Sequence, residues 1–327
     1  MILARSPMRI PLGGGGTDLP SYYEKHGGFV ISAAIDKYVY ASVHSRFVEG
    51  FLLKYMQTEE AATIDEIKHT RIREALRLMK IEQRNLELTF LADVPAGTGL
   101  GSSSSFTAAL LAALHAYKRE SVHPRQIAEE ACQIELDVLK EPIGKQDQYI
   151  TAFGGVTCLG FSNDETVEVW PLKLSEEALS NLEEGLVLFF TGYTRPASEI
   201  LKEQDDRSRA GDAEVEHNLM SVKRLAVAIQ IALEVGDLKY FGLLMNEHWH
   251  LKRQRSPKAS NHNINKLYAF AIANGAIGGK LVGAGGGGFL LFYTEQKRRL
   301  RWALREQGLR EVRFRFDFEG TKVLLHG

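Results

Sequence analysis

The stretch Val94 to Leu114 (VPAGTGLGSSSSFTAALLAAL) sets Gly97, Gly99 and Gly101 at alternate positions, follows them with Ser102, Ser103, Ser104 and Ser105, and runs into an alanine- and leucine-rich segment. A helix start exposes unpaired N–H groups and the positive end of the dipole, so it attracts an anion. Glycines let the backbone approach a ligand closely, and serine hydroxyls donate to oxygen or ligate a metal. Together they fit a polyphosphate; the plainer alternative is a serine-capped helix behind a flexible lead-in. Two familiar phosphate fingerprints fail. A Walker loop needs GKS or GKT, but Gly101 is followed by Ser102, and Gly279-Lys280 is followed by Leu281. A Rossmann loop needs GxGxxG, and the spacing of Gly97, Gly99 and Gly101 is wrong for it. The chemistry is that of a third kind of phosphate site.

Two further glycine clusters flank this one in sequence. Gly13 to Asp18 (GGGGTD) follows an apolar segment carrying Arg9, and Gly283 to Gly288 (GAGGGG) precedes the run FLLFY. Three such loops in three distant regions, one ending in a carboxylate, indicate backbone packed closely around a ligand between domains.

The elements that must position these loops follow from periodicity. Phe29 to Val43 reads as a strand, a short turn at Asp36-Lys37 and a second strand. Thr63 to Lys80 and Pro124 to Lys140 have helical spacing, and Glu135 falls beside the buried face of the latter. Leu86, Leu88 and Phe90 alternate with polar residues as a strand delivering the chain to the serine loop. Past a polar stretch at Ser175 to Gly185 come a short strand (GLVLFFTG), helices over Glu214 to Val235 and Asn263 to Asn274, and a strand at Phe289 to Tyr293. Alternation of Val312, Phe314, Phe316 and Phe318 predicts a last strand. Strands and helices mix without a steady βαβα repeat, which predicts an α+β architecture in two parts, residues 1–180 and 181–327.

Composition narrows the partners. The 327 residues carry 40 basic and 41 acidic side chains, a net charge of -1. No global field draws the chain to nucleic acid or an anionic membrane, and any anion must be held locally. Cys132 and Cys158 are the only cysteines, far apart and in apolar surroundings, as for reduced core thiols. With no signal-like or membrane-spanning apolar run, a cytoplasmic location is expected. His248 and His250 stand two apart on an expected helix and face different ways, which argues against zinc.

Three segments in order, RIPLGGGGTD, PAGTGLGSSSS and GKLVGAGGGGF, resemble the motifs of the GHMP small-molecule kinases, and the resemblance covers nearly the whole chain. It implies an N-terminal domain like ribosomal protein S5 domain 2, a ferredoxin-like C-terminal domain, and an active site in the cleft between. It also implies magnesium-dependent transfer of the γ-phosphoryl group of ATP to an alcohol. Pro95, Gly97, Gly99, Leu100, Gly101 and Ser102 to Ser105 match the family's phosphate loop, with Ser103 the favoured serine for magnesium. Glu135, twelve residues before Asp147, matches the metal-binding glutamate. Asp147, in GKQDQY, matches the catalytic aspartate, and Arg9 would orient it. Asp18, helped by Thr17, matches the residue that grips sugar hydroxyls. Gly283, Gly285, Gly286 and Gly287 form the structural glycine loop.

The substrate is implied by the finer likeness. Where galactokinases carry GEHTD, this chain has Gly15 and Gly16, which removes two galactose contacts. GGGGTD, TGYTRPASEILKEQ and NEHWHLKRQ resemble the heptose 7-phosphate kinase branch and, less closely, the L-fucose kinases. In both, the anomeric hydroxyl is the acceptor. A phosphorylated sugar needs cations away from Asp147, for which Arg195, Lys252, Arg253, Arg255 and Lys258 are candidates; solvated basic helix ends are the plainer alternative. Competing expectations are an L-fucose 1-kinase, a sugar and ATP sensor that kept the fold without turnover, and a polymer-stimulated ATPase, which the neutral charge and absent GKS oppose. As a kinase it is expected to act as a monomer or homodimer on a small-molecule sugar phosphate.

Overall fold

The computed structural model describes residues 1–82, 85–193 and 198–326. The first part runs β1 (Ile2–Gly13), α1 (Pro20–His26), β2 (Gly28–Ser45), β3 (Gly50–Lys54), β4 (Thr58–Ala61), α2 (Thr70–Leu78) and β5 (Asn85–Ala92). It continues through α3 (Ser102–Tyr117), α4 (Pro124–Cys132), α5 (Gln146–Phe153), β6 (Val156–Phe161) and β7 (Val167–Pro171). The second part comprises α6 (Glu176–Gly185), β8 (Leu186–Phe190), α7 (Ser198–Arg209), α8 (Ala213–Glu234), α9 (Leu238–Arg255) and α10 (His262–Ala273). It closes with β9 (Gly278–Leu281), β10 (Phe289–Tyr293), α11 (Lys297–Glu306), β11 (Arg310–Glu311) and β12 (Lys322–His326).

Two sheets result, and the fold is α+β. One has eight strands along the order β12-β1-β2-β5-β3-β4, with β6 paired to β2 and β7 to β6; the other has four, β11-β8-β10-β9. All pairings are antiparallel except β3 with β5. The expected division at 180/181 falls inside α6, and the last strand returns to the first sheet beside β1.

Alternation explains how the second sheet is buried on both faces. Leu186, Leu188, Leu291 and Tyr293 pack with α8 and α9 residues such as Leu233 and Phe241, while Val187, Phe189, Leu290 and Phe292 pack with Ile264 and Leu300. The first of these cores also takes in Met8, Ile10 and Ile31 of the large sheet, so the two parts share packing. Helix α3 is apolar on nearly every side and buries Leu110, Leu111 and Leu114 completely against β1 and β2. Each such leucine contributes about 2 kcal/mol. The serine loop is thereby mounted on an immobile helix.

Two expected elements differ. The turn at Asp36-Lys37 is a two-residue bulge within one continuous strand, because β1 pairs Pro7 with Tyr38 and then Met8 with Ile35. The predicted strand over 312–318 is an extended connector: apart from a single bridge between Phe316 and Ile35 it has no ladder. Its hydrogen bonds go first to one sheet and then to the other, with Val312 N donating to Leu188 O and Asp317 N to Ala34 O, each at 2.9 Å. Alternating side chains demand an extended backbone, but the segment leaves β8 for β2 before it can build a ladder with either.

Candidate active site

Gly97, Gly99 and Gly101 all adopt positive φ, +75°, +86° and +74°. Side-chain-bearing residues resist that region, so the alternate glycines are what let the loop coil in front of α3. α3 starts at Gly101 with no side-chain cap, and Ser105 is the first residue whose amide reaches back, to Gly101 O at 3.0 Å. The amides of Ser102, Ser103 and Ser104 are left at the helix mouth, where the dipole favours an anion. Gly97, Gly99, Gly101 and these three serines line one cavity of about 560 Å³.

The same cavity holds the expected catalytic pair. Arg9 Nε and Nη2 donate to Asp147 Oδ1 and Oδ2, both at 2.7 Å, a bidentate clamp. A third contact runs from Arg9 Nη1 to Gly99 O, and Arg9 N donates to Leu100 O at 2.9 Å. A Cβ on Gly101 would lie 3.2 Å from both Arg9 Cγ and Asp147 Oδ2. The aspartate therefore sits against the serine turn.

Glu135 lies on a wide π-helical turn, Gln133–Val138, and is completely buried. Its Oε1 accepts from Thr107 Oγ1 at 2.5 Å and Arg71 Nε at 3.3 Å, its Oε2 from Ser104 Oγ at 2.8 Å and Gln148 Nε2 at 2.7 Å. Ser104, not the exposed Ser103, is thus the serine that meets this carboxylate, since the helix turns position 104 inward. The oxygens of Ser104 and Glu135 are hard donors 2.8 Å apart. Hard oxygen donors are the kind magnesium takes, but here the 2.8 Å is a hydrogen bond, both Glu135 oxygens are bonded to side chains, and Glu135 lies behind the cavity wall that Ser104 lines. Among the described residues no group of three or more His, Cys, Asp or Glu gathers as a metal cluster.

Other expected residues divide by where they point. Ser105 turns away from the cavity and donates to Pro7 O at 2.8 Å and Gly101 O at 3.0 Å; Leu100 is in the core and Pro95 at the exposed rim. Thr17 is buried with its hydroxyl bonded to Gly14 O and Phe29 O, so it shapes the loop instead of facing a substrate. Gly15, Gly16 and Asp18 line the cavity. Burial, and then the charge of Asp147, push the Asp18 carboxyl up, although the amides of Gly16 and Gln146 donate to it. Arg253 is exposed and off the cavity wall, and Lys258 is on the surface paired with Glu203 at 3.0 Å. Arg195 lies outside the described residues.

The wall opposite the serine loop is basic. His248, Lys252 and Arg255 stand at i, i+4 and i+7 on α9, one face of one helix, and Lys280 joins them from β9. Lys252 Nζ donates to Leu281 O at 2.9 Å and also to Gly283 O, and burial with Arg255 and Arg9 nearby brings its pKa down to about 7. Lys280 Nζ contacts Leu12 O at 3.0 Å and His248 Nδ1 at 3.2 Å. Burial first, then neighbouring cations, push both Lys280 and His248 well down, so His248 is a neutral imidazole. Sequence reasoning missed Lys280 and His248; the signals were a lysine inside a buried strand and the helical spacing to Lys252.

The late glycine loop seals the serine loop from behind. A Cβ on Gly283 would come within 2.6 Å of Gly99 Cα, and one on Gly288 within 2.2 Å of Thr98 O. Gly285 and Gly287 are closed in the same way by Ala259 and Tyr193 backbone, and Gly286 N donates to Ala259 O at 3.0 Å.

An open helix mouth, a clamped aspartate and a basic wall around one cavity are the parts that phosphoryl transfer requires. Residues 69–155 match the GHMP kinases N terminal domain and residues 229–308 the GHMP kinases C terminal. The chain is 31% identical to D-glycero-alpha-D-manno-heptose 7-phosphate kinase of Campylobacter jejuni, over 98% of both chains. It is 27% identical to L-fucokinase/L-fucose-1-P guanylyltransferase of Bacteroides fragilis, over 89% of this chain and 34% of that one. The structure of a D-glycero-D-manno-heptose 1-phosphate kinase from Bacteroides thetaiotaomicron superposes with a TM-score of 0.82, at 24% identity, over 99% of both chains. The chain belongs to the GHMP kinase family. It is an ATP-dependent phosphotransferase, and its relatives set it among the sugar kinases of that family.

Proposed function

We propose that this kinase transfers the γ-phosphoryl group of ATP to the anomeric C1 hydroxyl of D-glycero-D-manno-heptose 7-phosphate, giving the 1,7-bisphosphate. The observation carrying the reaction type is the bidentate Arg9–Asp147 pair set 3.2 Å from the Cβ position of Gly101, at the mouth of the uncapped helix. The heptose assignment rests on whole-length similarity to the Campylobacter jejuni enzyme.

In this reading the amides of Ser102 to Ser104 hold the nucleotide phosphates, whose negative charge favours the protonated forms of Lys252 and Lys280 and is offset by them. Asp147 orients the acceptor hydroxyl and takes its proton. A loose transition state demands little basicity of that carboxylate until bond formation is advanced. Asp18 accepts from sugar hydroxyls. Ser104 and Glu135 would hold magnesium by giving up their mutual hydrogen bond to the ion, whose chemistry is to neutralise charge on the phosphate oxygens. The two-part division, with nucleotide on residues 1–180 and closure from 181–327, belongs to the same proposal. So does a cytoplasmic location, supported by two buried free thiols; no helix among the described residues is long and apolar enough to cross a membrane.

The test is an ATP-coupled assay over heptose 7-phosphate, L-fucose, galactose and mannose, with the phosphorylated carbon of the product assigned by NMR. Turnover confined to an unphosphorylated sugar overturns the heptose assignment. Nucleotide binding without turnover on any sugar favours a sensor.

A further inference from the structure

Arg255 is a basic residue of the cavity wall whose guanidinium keeps an unused donor. Lys252 and Lys280 each donate to two partners, and Arg9 is clamped to Asp147. Arg255 is 8% exposed, yet its Nη1 has no hydrogen-bond partner among the described residues. Asp18 is the acidic group acting on it through space, and burial lowers its pKa only to about 10, so it stays charged at neutral pH. A buried guanidinium with an unused donor is costly unless an anion arrives to meet it.

A second donor aims at the same place. Gln204, on α7, is 6% exposed, and its Nε2 also has no partner among the described residues. Both groups close on Gly16: a Cβ there would lie 3.0 Å from Gln204 Nε2 and 3.2 Å from each Arg255 Nη atom. Gly16 has φ +102°, and next to it Gly15 would meet nothing within 4 Å. With no side chains at these two positions, only the Gly15-Gly16 backbone stands between the buried donors and the cavity that Gly15, Gly16, Gln204 and Arg255 all line. Asp18 lies within electrostatic reach of both Arg255 and Asp147.

We propose that Arg255 and Gln204, converging over Gly16, form the receptor for a terminal phosphate carried by the sugar, so that the substrate is held by its phosphate at one end and presents its hydroxyl to Asp147 at the other. This rests on the sugar-kinase reading above and deepens it. A planar fork and an adjacent amide match the oxygens of a phosphate monoester, whose charge also offsets the buried guanidinium; a neutral hydroxyl satisfies the geometry and leaves the charge.

The experiment measures the Kd of D-glycero-D-manno-heptose 7-phosphate and of unphosphorylated D-glycero-D-manno-heptose by calorimetry, without nucleotide. Wild type should prefer the phosphorylated sugar strongly. Arg255→Met should cut that preference about 30-fold and Gln204→Leu about 5-fold, with Arg255→Lys between them. Circular dichroism checks each fold, and if Arg255→Met does not fold the other two variants decide. A wild type without preference, or variants that keep it whole, overturns the receptor. The two readings fail separately: preference without ATP-dependent formation of a 1-phosphate sinks the proposed reaction alone, whereas 1-phosphate formation with a preference indifferent to Arg255 and Gln204 sinks the receptor alone.

Discussion

Replacing Lys252 with methionine should remove a pH dependence of stability whose sign and size follow from the structure. The folded protein holds this lysine at about 7, against 10.5 for an unhindered one. Between those values the unfolded chain binds the proton and the folded chain does not, so stability rises with pH across that window. At 1.36 kcal/mol per unit, and with the lysine still half protonated at pH 7, the gain from pH 7 to 8.5 is about 1.5 kcal/mol. For a chain of this length that is about 2 °C in Tm. Lys280 acts with the same sign, so wild type should gain at least this much. Lys252→Met also strips a donor from the carbonyls of Leu281 and Gly283, which lowers Tm equally at both pH values. The informative quantity is therefore the change in Tm between pH 7 and 8.5, measured by calorimetry on ligand-free protein, and it should be about 2 °C smaller in the variant. An identical change in the two proteins would show that Lys252 keeps an ordinary pKa and that the basic wall is not desolvated.

Three further outcomes are expected. Asp147→Asn should reduce phosphoryl transfer about 1,000-fold or more while ATP affinity, read by titration calorimetry, stays within about threefold, because the amide keeps the shape and cannot take a proton. Gly288→Ala should destabilise the protein by more than about 2 kcal/mol in urea melts, since the new methyl would stand 2.2 Å from Thr98 O at a positive φ. Arg253→Ala should leave kcat/KM unchanged in steady-state assays, because that side chain faces solvent and lies off the cavity.

The glycine loops were legible because each needs a backbone that only glycine adopts readily, and the structure brings all three to one cavity. Arg9, Asp147 and Asp18 could be placed by motif, and the helices over 213–234 and 262–273 by period. What escaped depended on neighbours. The alternation of residues 312 to 318 is real, yet a strand also needs a partner, and here the chain crosses between sheets. That Ser104 is the serine bonded to Glu135 depends on which way α3 turns. Gln204 carried no local mark at all, because its meaning comes from Arg255, about fifty residues further along the chain.

The contact between the serine loop and the late glycine loop is made of main-chain atoms on both sides. Amino-acid exchange can add bulk to such a seam and wreck it, but has nothing there to trim or re-tune. Substitutions that reshape the cavity without breaking this seam are therefore confined to positions that contribute side chains to its wall, such as Gln204 and Arg255.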